Sequence, residues 1–220
     1  MDAAKKPRAL FVYYTFTKQA LKVTEDMESV LQGRGWETER AQIELTDSRY
    51  SPRFVQFPLK HRYLDIIRLL PAQLRRATGE IRIPPEAEAG DYDLVVIGSP
   101  TWWLTTCLPI RSYLKSDAAA KFLKGKSFAG FVVCRRYWKN NIKTVQQLGE
   151  SHGGKCVGTT HFKYLGGQVR SLLSLISYLG TGEYRERYLG IKIPPTNLQS
   201  DGDEAARQFA TKLADQFAAA

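Results

Sequence analysis

Residues Asp91–Trp103, DYDLVVIGSPTWW, decide the fold. In the first half, Asp91–Gly98, an uninterrupted apolar run (Leu94–Ile97) lies between aspartates and a glycine, which predicts a strand in the middle of a covered sheet. The second half opens a loop, Ser99–Thr106, that carries a proline and two adjacent tryptophans. Leu108–Phe122 beyond it suits a helix, with Pro109 tolerated only near its start.

The same alternation extends in both directions. Upstream, Arg8–Tyr14 (RALFVYY) predicts a buried strand and Thr15–Gln19 a polar turn. Ala20–Gly33 predicts an amphipathic helix, because Leu21, Thr24, Met27, Val30 and Leu31 recur at helical spacing and Gly33 and Gly35 can end it. Trp36–Leu45 alternates enough for a second strand. Downstream, Ser127–Cys134 (SFAGFVVC) predicts a strand, Arg135–Asn141 a loop and Ile142–His152 a helix. Lys155–Phe162 predicts the last strand. Asp203–Phe217 predicts a closing helix with Ala206, Phe209, Ala210, Leu213 and Phe217 on one face. Strands alternating with helices imply βαβ units, hence an α/β protein whose parallel sheet is covered on both sides. Two stretches break the alternation, residues 47–90 and 163–200. Each is longer than an ordinary connection and each contains an apolar helical pattern: Tyr63, Ile66, Ile67, Leu70 and Leu74 in the first, Val169, Leu172, Leu173, Ile176 and Leu179 in the second.

Composition sets the outer bounds. A chain of 220 residues with 43% hydrophobic and 25% charged side chains has material for one domain with a sizeable core, residues 1–220. It excludes disordered, collagen-like and disulfide-built classes. No apolar run approaches the roughly 20 residues that span a bilayer. The charged start, Met1–Arg8, followed by a short apolar run, argues against a secretory leader. Three cysteines (Cys107, Cys134, Cys156) at unrelated spacings point to reduced thiols in a cytoplasmic protein and to no metal site. The net charge of +10 is concentrated in residues 47–82, 134–143 and 163–192. Such basic segments attract phosphates, anionic lipid or an acidic partner. Nucleic acid is not expected, because the segments hold no reading motif and the body of the chain is not basic.

In a doubly wound sheet, ligands bind beyond the carboxyl ends of the strands, where the strand order reverses. Three predicted turns leave such ends. Thr15, Thr17 and Gln19 just before a helix can cradle a phosphate with hydroxyls and free backbone N–H groups. Plain N-capping accounts for one threonine but not for the cluster. In Ser-Pro-Thr-Trp-Trp, adjacent indoles cannot point the same way, so one faces the outer surface. Large rings at this rim suit a planar heterocycle, and the alternative is that both tryptophans cap the core. Arg135-Arg136-Tyr137-Trp138 adds cations to the aromatic theme; a solvated basic turn or a cation–π pair would also explain it.

These residues carry a resemblance. The strand–threonine turn–helix start, then YDLVVIGSPTWW with Pro109 and Leu114, then FVVC and its aromatic loop, resemble the flavodoxin-like flavoproteins, most closely the enlarged flavodoxin and NAD(P)H:quinone-reductase type. The resemblance covers residues 8–46, 91–162 and the last helix. It implies a flavodoxin-like doubly wound, five-stranded parallel sheet in the order 2-1-3-4-5, with helices on both faces and two extra helical insertions. It implies FMN as cofactor, with the phosphate at Thr15, Phe16, Thr17, Lys18, Gln19 and Ala20. Ser99, Pro100, Thr101, Trp102 and Trp103 would flank the ring on one side, and Cys134, Arg135, Arg136, Tyr137 and Trp138 on the other. Lys18 stands where the family has glycine, which costs strain if that position needs a positive φ, and Ala20 replaces a hydroxyl residue.

The activity implied is an FMN-dependent oxidoreductase, with NAD(P)H as donor, a quinone-like or other small acceptor, and the flavin N5, rather than a side chain, carrying the chemistry. The Arg135–Arg136 pair inverts the acidic surroundings of ordinary flavodoxins. A cation about 5 Å from the reduced ring stabilises it by roughly 3 kcal/mol, or roughly 65 mV for two electrons. His61, Arg62, Tyr63, Tyr164 and Arg170 are the polar and aromatic residues of the insertions that would meet an acceptor. His61 there suits a proton donor, against the plainer reading of a surface histidine. Rival readings are an electron-transfer flavoprotein that docks an acidic redox partner through the basic insertions, and a flavodoxin-fold accessory protein that has lost FMN. The 163–192 segment also suits peripheral attachment to an anionic membrane surface. The insertions suit lids, homodimer contacts, or both.

Overall fold

The computed structural model describes residues 5–54 and 57–218. Five strands, β1 (Arg8–Tyr13), β2 (Glu37–Gln42), β3 (Leu94–Trp102), β4 (Ser127–Cys134) and β5 (Lys155–Lys163), pair in parallel in the order β2-β1-β3-β4-β5. This is the flavodoxin-like doubly wound order that the resemblance implies. The order reverses between β1 and β3, so the crevice above that pair is the expected ligand position. Register places Tyr13 opposite Gly98 and Pro100 opposite Val133, which brings the turns after β1, β3 and β4 to one rim.

Alternation along the strands feeds two cores. Phe11, Leu94, Val96 and Phe131 face α1 (Gln19–Gly33) and the closing helix, whose buried Ala206, Ala210 and Leu213 form the expected stripe. Leu10, Val12, Val95 and Ile97 face α3 (Leu108–Leu114), α4 (Asp117–Leu123) and α5 (Trp138–Ser151). Each fully buried Leu, Ile or Phe contributes about 1.5–3 kcal/mol. Gly98 is required by close approach: a Cβ there would meet Phe131 at 2.3 Å. The long connections contribute α2 (Arg62–Leu74) and α6 (Gln168–Thr181), which precede the closing helix α7 (Ser200–Ala218).

Several boundaries differ from the sequence expectation. The helix expected over Leu108–Phe122 is two helices, because Ser116 is extended and its Oγ accepts from Ala119 N at 3.1 Å, capping a new start. The segment expected as a loop over Ser99–Thr106 continues β3 to Trp102 and turns back through Trp103–Leu104 to pair Thr101 with Thr106. The helix expected from Ile142 begins at Trp138, since a left-handed Tyr137 (φ 56°) turns the chain directly into it. The second strand stops at Gln42, and Glu44–Leu45 pairs separately with Ile81–Arg82.

Asp47 closes the base of the first long connection. Its buried carboxylate accepts from the backbone N–H groups of Arg49 at 2.9 Å and Glu80 at 3.0 Å, and from the Arg49 guanidinium. Arg111 on α3 is fully buried and ties the far end down, donating to Ala77 O, Gln73 Oε1 and Thr106 O at 2.9–3.0 Å.

Candidate functional site

The turns after β1, β3 and β4 border one cavity of about 260 Å³. Thr15, Phe16, Thr17, Gln19 and Ala20 line it from the first turn; Pro100, Thr101, Trp102 and Trp103 from the second; Cys134, Arg135, Arg136 and Tyr137 from the third. Thr17, Trp102 and Tyr137 therefore meet at a single site. Three expected residues lie outside it. Lys18 is exposed and contributes only backbone geometry. Ser99 is a core residue whose hydroxyl donates to Pro100 O at 3.0 Å. Trp138 lies in α5 and stacks on His161, with ring centroids 3.8 Å apart and planes inclined by 6°.

At the first turn, Lys18 adopts φ 60°, the left-handed conformation glycine would take without strain. It sits at the N-cap of α1, where no side chain caps the helix and the first turn carries no acid. The free N–H groups and positive end of that helix thus remain available to an anion. The Gln19 side chain instead ties down the end of the second long connection, its Oε1 accepting from Leu198 N at 2.9 Å.

At the second turn, the two indoles diverge as their adjacency requires. Trp102 packs edge-on against Tyr14 (5.3 Å) and beneath Phe54 (5.0 Å, 25°). Trp103 is exposed, has φ 58°, and donates from Nε1 to Ile66 O at 3.3 Å. Asn141, fully buried on α5, holds this turn by donating from Nδ2 to Thr101 Oγ1 at 2.9 Å and Pro100 O at 3.3 Å.

At the third turn, Arg135 Nε donates to Ser171 O at 2.9 Å, and the guanidinium lies over the Tyr164 ring at 4.3 Å. Its Nη2 is buried without a hydrogen-bond partner. Burial holds this arginine below its usual pKa and pushes the Tyr164 hydroxyl up to about 12. A half-buried cation on a cavity wall, with a buried Nη2 that has no hydrogen-bond partner and no carboxylate partner among the described residues, suits a bound anion. Burial also pushes the Cys134 thiol up to about 11, so it stays protonated near neutrality. Beyond Tyr137, a second cleft of about 390 Å³ holds Arg136, Lys139 and Lys163 around Trp138.

The long connections complete the enclosure. Phe54, Ile66 and Leu69 come from the first, Tyr164, Leu172, Leu175 and Leu179 from the second, and Leu104 from the hairpin turn. Sequence reasoning names Tyr164 as a site candidate, reads Ile66, Leu172 and Leu179 only as apolar helical positions, and misses Phe54, Leu69, Leu104, Val133 and Leu175. On α2 the inward stripe runs through Leu69 and Ala72, while Ile67 and Leu74, expected on the apolar face, are exposed. The paired Ile66–Ile67 and Leu69–Leu70 leave the phase ambiguous without knowledge of what covers the helix. Of the expected insertion residues whose side chains are described, Tyr164 lines the cavity and His61, Tyr63 and Arg170 do not; His61 is exposed at the N-cap of α2, and the Arg62 side chain lies outside the described residues. Among the described residues the lining contains no histidine and no carboxylate.

Comparison with known proteins follows the fold. A flavoprotein from Lactobacillus acidophilus, solved in complex with FMN, superposes with a TM-score of 0.53 at 18% identity, covering 70% of this chain and 93% of that one. Oxidised flavodoxin 1 from Bacillus cereus gives 0.51 at 14% identity, covering 94% and 97%. Rubredoxin:oxygen oxidoreductase from Desulfovibrio gigas gives 0.52 at 10% identity, covering 97% of this chain and 37% of that one. No protein-family model matches the chain, and no curated protein matches it. At these identities the likeness establishes the flavodoxin-like fold.

Proposed function

We propose that the protein binds FMN in this cavity and works as an oxidoreductase, taking electrons from NAD(P)H and passing them to a quinone-like or other small acceptor. One observation carries the reading. The open N-terminus of α1, the Arg135 guanidinium with its buried, unused Nη2, and the Phe54–Trp102 wall border the same cavity. Those groups suit a ligand that joins an anion to a flat ring, and the superposed Lactobacillus acidophilus flavoprotein is solved with FMN.

When bound, FMN supplies a carrier for hydride or single electrons, chemistry that no side chain here provides. The chain's own residues bind, orient and exclude water. The α1 N–H groups and Arg135 hold negative charge. Trp102, fixed by Tyr14 and Phe54, presents a flat wall, and Asn141 keeps its turn in place. Leu69 and Leu179 keep water from the interior. Cys134 is no nucleophile at a pKa of about 11, and Tyr164 keeps its proton and can donate a hydrogen bond.

The test is an absorption spectrum of the purified protein before and after FMN addition, followed by anaerobic mixing with NADH or NADPH and a soluble quinone. Flavin bands and nucleotide oxidation are expected. Colourless protein that takes up no FMN removes the reading; flavin-loaded protein that oxidises neither nucleotide removes the donor.

A further inference from the structure

We infer that the outer face of α2, with the start of α6 and the Trp103–Leu104 turn, docks on an anionic lipid bilayer, and that an apolar acceptor dissolved there enters the cavity through this face. The second part rests on the redox reading above; the docking itself does not.

α2 is apolar on two sides. Ile66 and Leu69 face the cavity, yet Leu64, Ile67 and Leu74 on the opposite side are 52%, 58% and 61% exposed. A helix at a water-facing surface keeps that side polar. Val169, at the start of α6, which packs against α2, is 72% exposed, and the Trp103–Leu104 turn is exposed and held to α2 by the Trp103–Ile66 hydrogen bond. Exposed apolar side chains gathered on neighbouring elements mark an interaction surface.

Charge selects the occupant. Arg68, Arg75 and Arg170 are exposed beside the apolar residues. Residues 62–74 and 168–181 contain one acid, Asp65, and it is buried. A second copy of the chain on this face would set arginine against arginine. Apolar side chains flanked by cations match the boundary between anionic headgroups and acyl chains, with α2, about 20 Å long, lying in the plane. No helix among the described residues is long and apolar enough to cross a membrane. Position argues the same way. Trp103, Leu104 and Leu172 are exposed and also line the cavity, so part of the patch sits at its mouth. A protein partner seated there would shut that mouth, whereas a bilayer opens it onto a hydrocarbon phase.

The experiment is vesicle sedimentation of the full chain with phosphatidylcholine alone and with phosphatidylcholine plus phosphatidylglycerol, using wild type, Ile67→Glu/Leu74→Glu and Arg68→Glu/Arg75→Glu. All four residues are exposed and outside the cavity lining, and melting curves check that both variants fold. Wild type should partition onto the anionic vesicles, less at high salt, and each variant should lose roughly tenfold or more. With flavin-loaded protein, the variants should lose reduction of an isoprenoid-tailed quinone held in vesicles while keeping that of a soluble benzoquinone. Wild type left in the supernatant at low salt overturns the docking, as do variants that sediment like wild type or a wild-type dimer that the substitutions dissociate. Flavin absorbance on the same samples separates the two claims: colourless protein that sediments supports the docking and removes the redox reading, and flavin-loaded protein that ignores vesicles does the reverse.

Discussion

The Phe54 ring lies almost parallel to the Trp102 indole, with centroids 5.0 Å apart and planes inclined by 25°. One ring comes from a long connection and the other from the end of a central strand, so the pair joins the variable covering of the cavity to its rigid rim. Phe16 braces Phe54 edge-on at 5.3 Å. Aromatic pairs of this kind contribute about 0.5–1.5 kcal/mol beyond area burial. Phe54→Ala should therefore weaken FMN binding roughly 3- to 10-fold, read by quenching of flavin fluorescence, and lower the melting temperature by a few degrees. Unchanged affinity would mean that Phe54 does not wall the ligand.

Arg135 gives a sharper test because removing it should move stability and binding differently. Its guanidinium is half-buried, with Nη2 buried and, among the described residues, no carboxylate partner, so the free protein bears a desolvation cost for it. Arg135→Met should leave the ligand-free protein within about 1 kcal/mol of wild type in stability. The same change should weaken FMN roughly tenfold or more and lower the two-electron potential of bound flavin by several tens of millivolts. A loss of stability with unchanged flavin affinity and potential would assign Arg135 a purely architectural role.

The central sheet is legible in the sequence because buried parallel strands are apolar on both faces: RALFVY, LVVIG and SFAGFVVC need no knowledge of what covers them. The rim is legible for a related reason, since the residues after such strands are placed by the strands themselves. What covers the rim is less legible. The inward face of α2 depends on its packing against α6, and Phe54 follows a short 3-10 turn (Ser51–Arg53) with no periodicity to read. Ser99 and Lys18 show the same limit at single residues. Both fall inside matching turns, but β3 runs further than expected and buries Ser99, while the left-handed backbone at Lys18 carries its side chain to the exterior.

Lys18 yields a prediction of opposite sign to most substitutions. A non-glycine residue at φ 60° is strained by about 1 kcal/mol, and this side chain is exposed, where burial contributes little against the strain. Lys18→Gly should raise the melting temperature by a few degrees in the ligand-free protein. Since glycine takes this conformation freely and leaves the α1 N–H groups in place, FMN affinity should hold or improve. A lower melting temperature would show that the ammonium contributes something the geometry does not.

Acid should open the cavity from its base, through Asp47. The Arg49 side chain first, then the backbone N–H groups of Arg49 and Glu80, hold this carboxyl well below its usual 3.8, against the opposing effect of burial. The unfolded chain therefore takes up the proton first as pH falls. The stability that Asp47 supplies is complete above about pH 4 and is lost as pH falls further through the depressed folded value. Arg49 is exposed, so Arg49→Ala should cost less than about 1 kcal/mol. Asp47→Asn removes the charge that two backbone donors satisfy inside the structure and should cost about 2 kcal/mol at neutral pH. The gap between the melting curves of wild type and Asp47→Asn should narrow as the solution is acidified from about pH 7 to pH 3, because the unfolded wild type takes up a proton that the folded carboxyl does not. Limited proteolysis should show cleavage within residues 47–90 appearing first. Parallel curves across that range would place the acid sensitivity elsewhere and remove Asp47 as the clasp that holds Phe54 and α2 over the cavity.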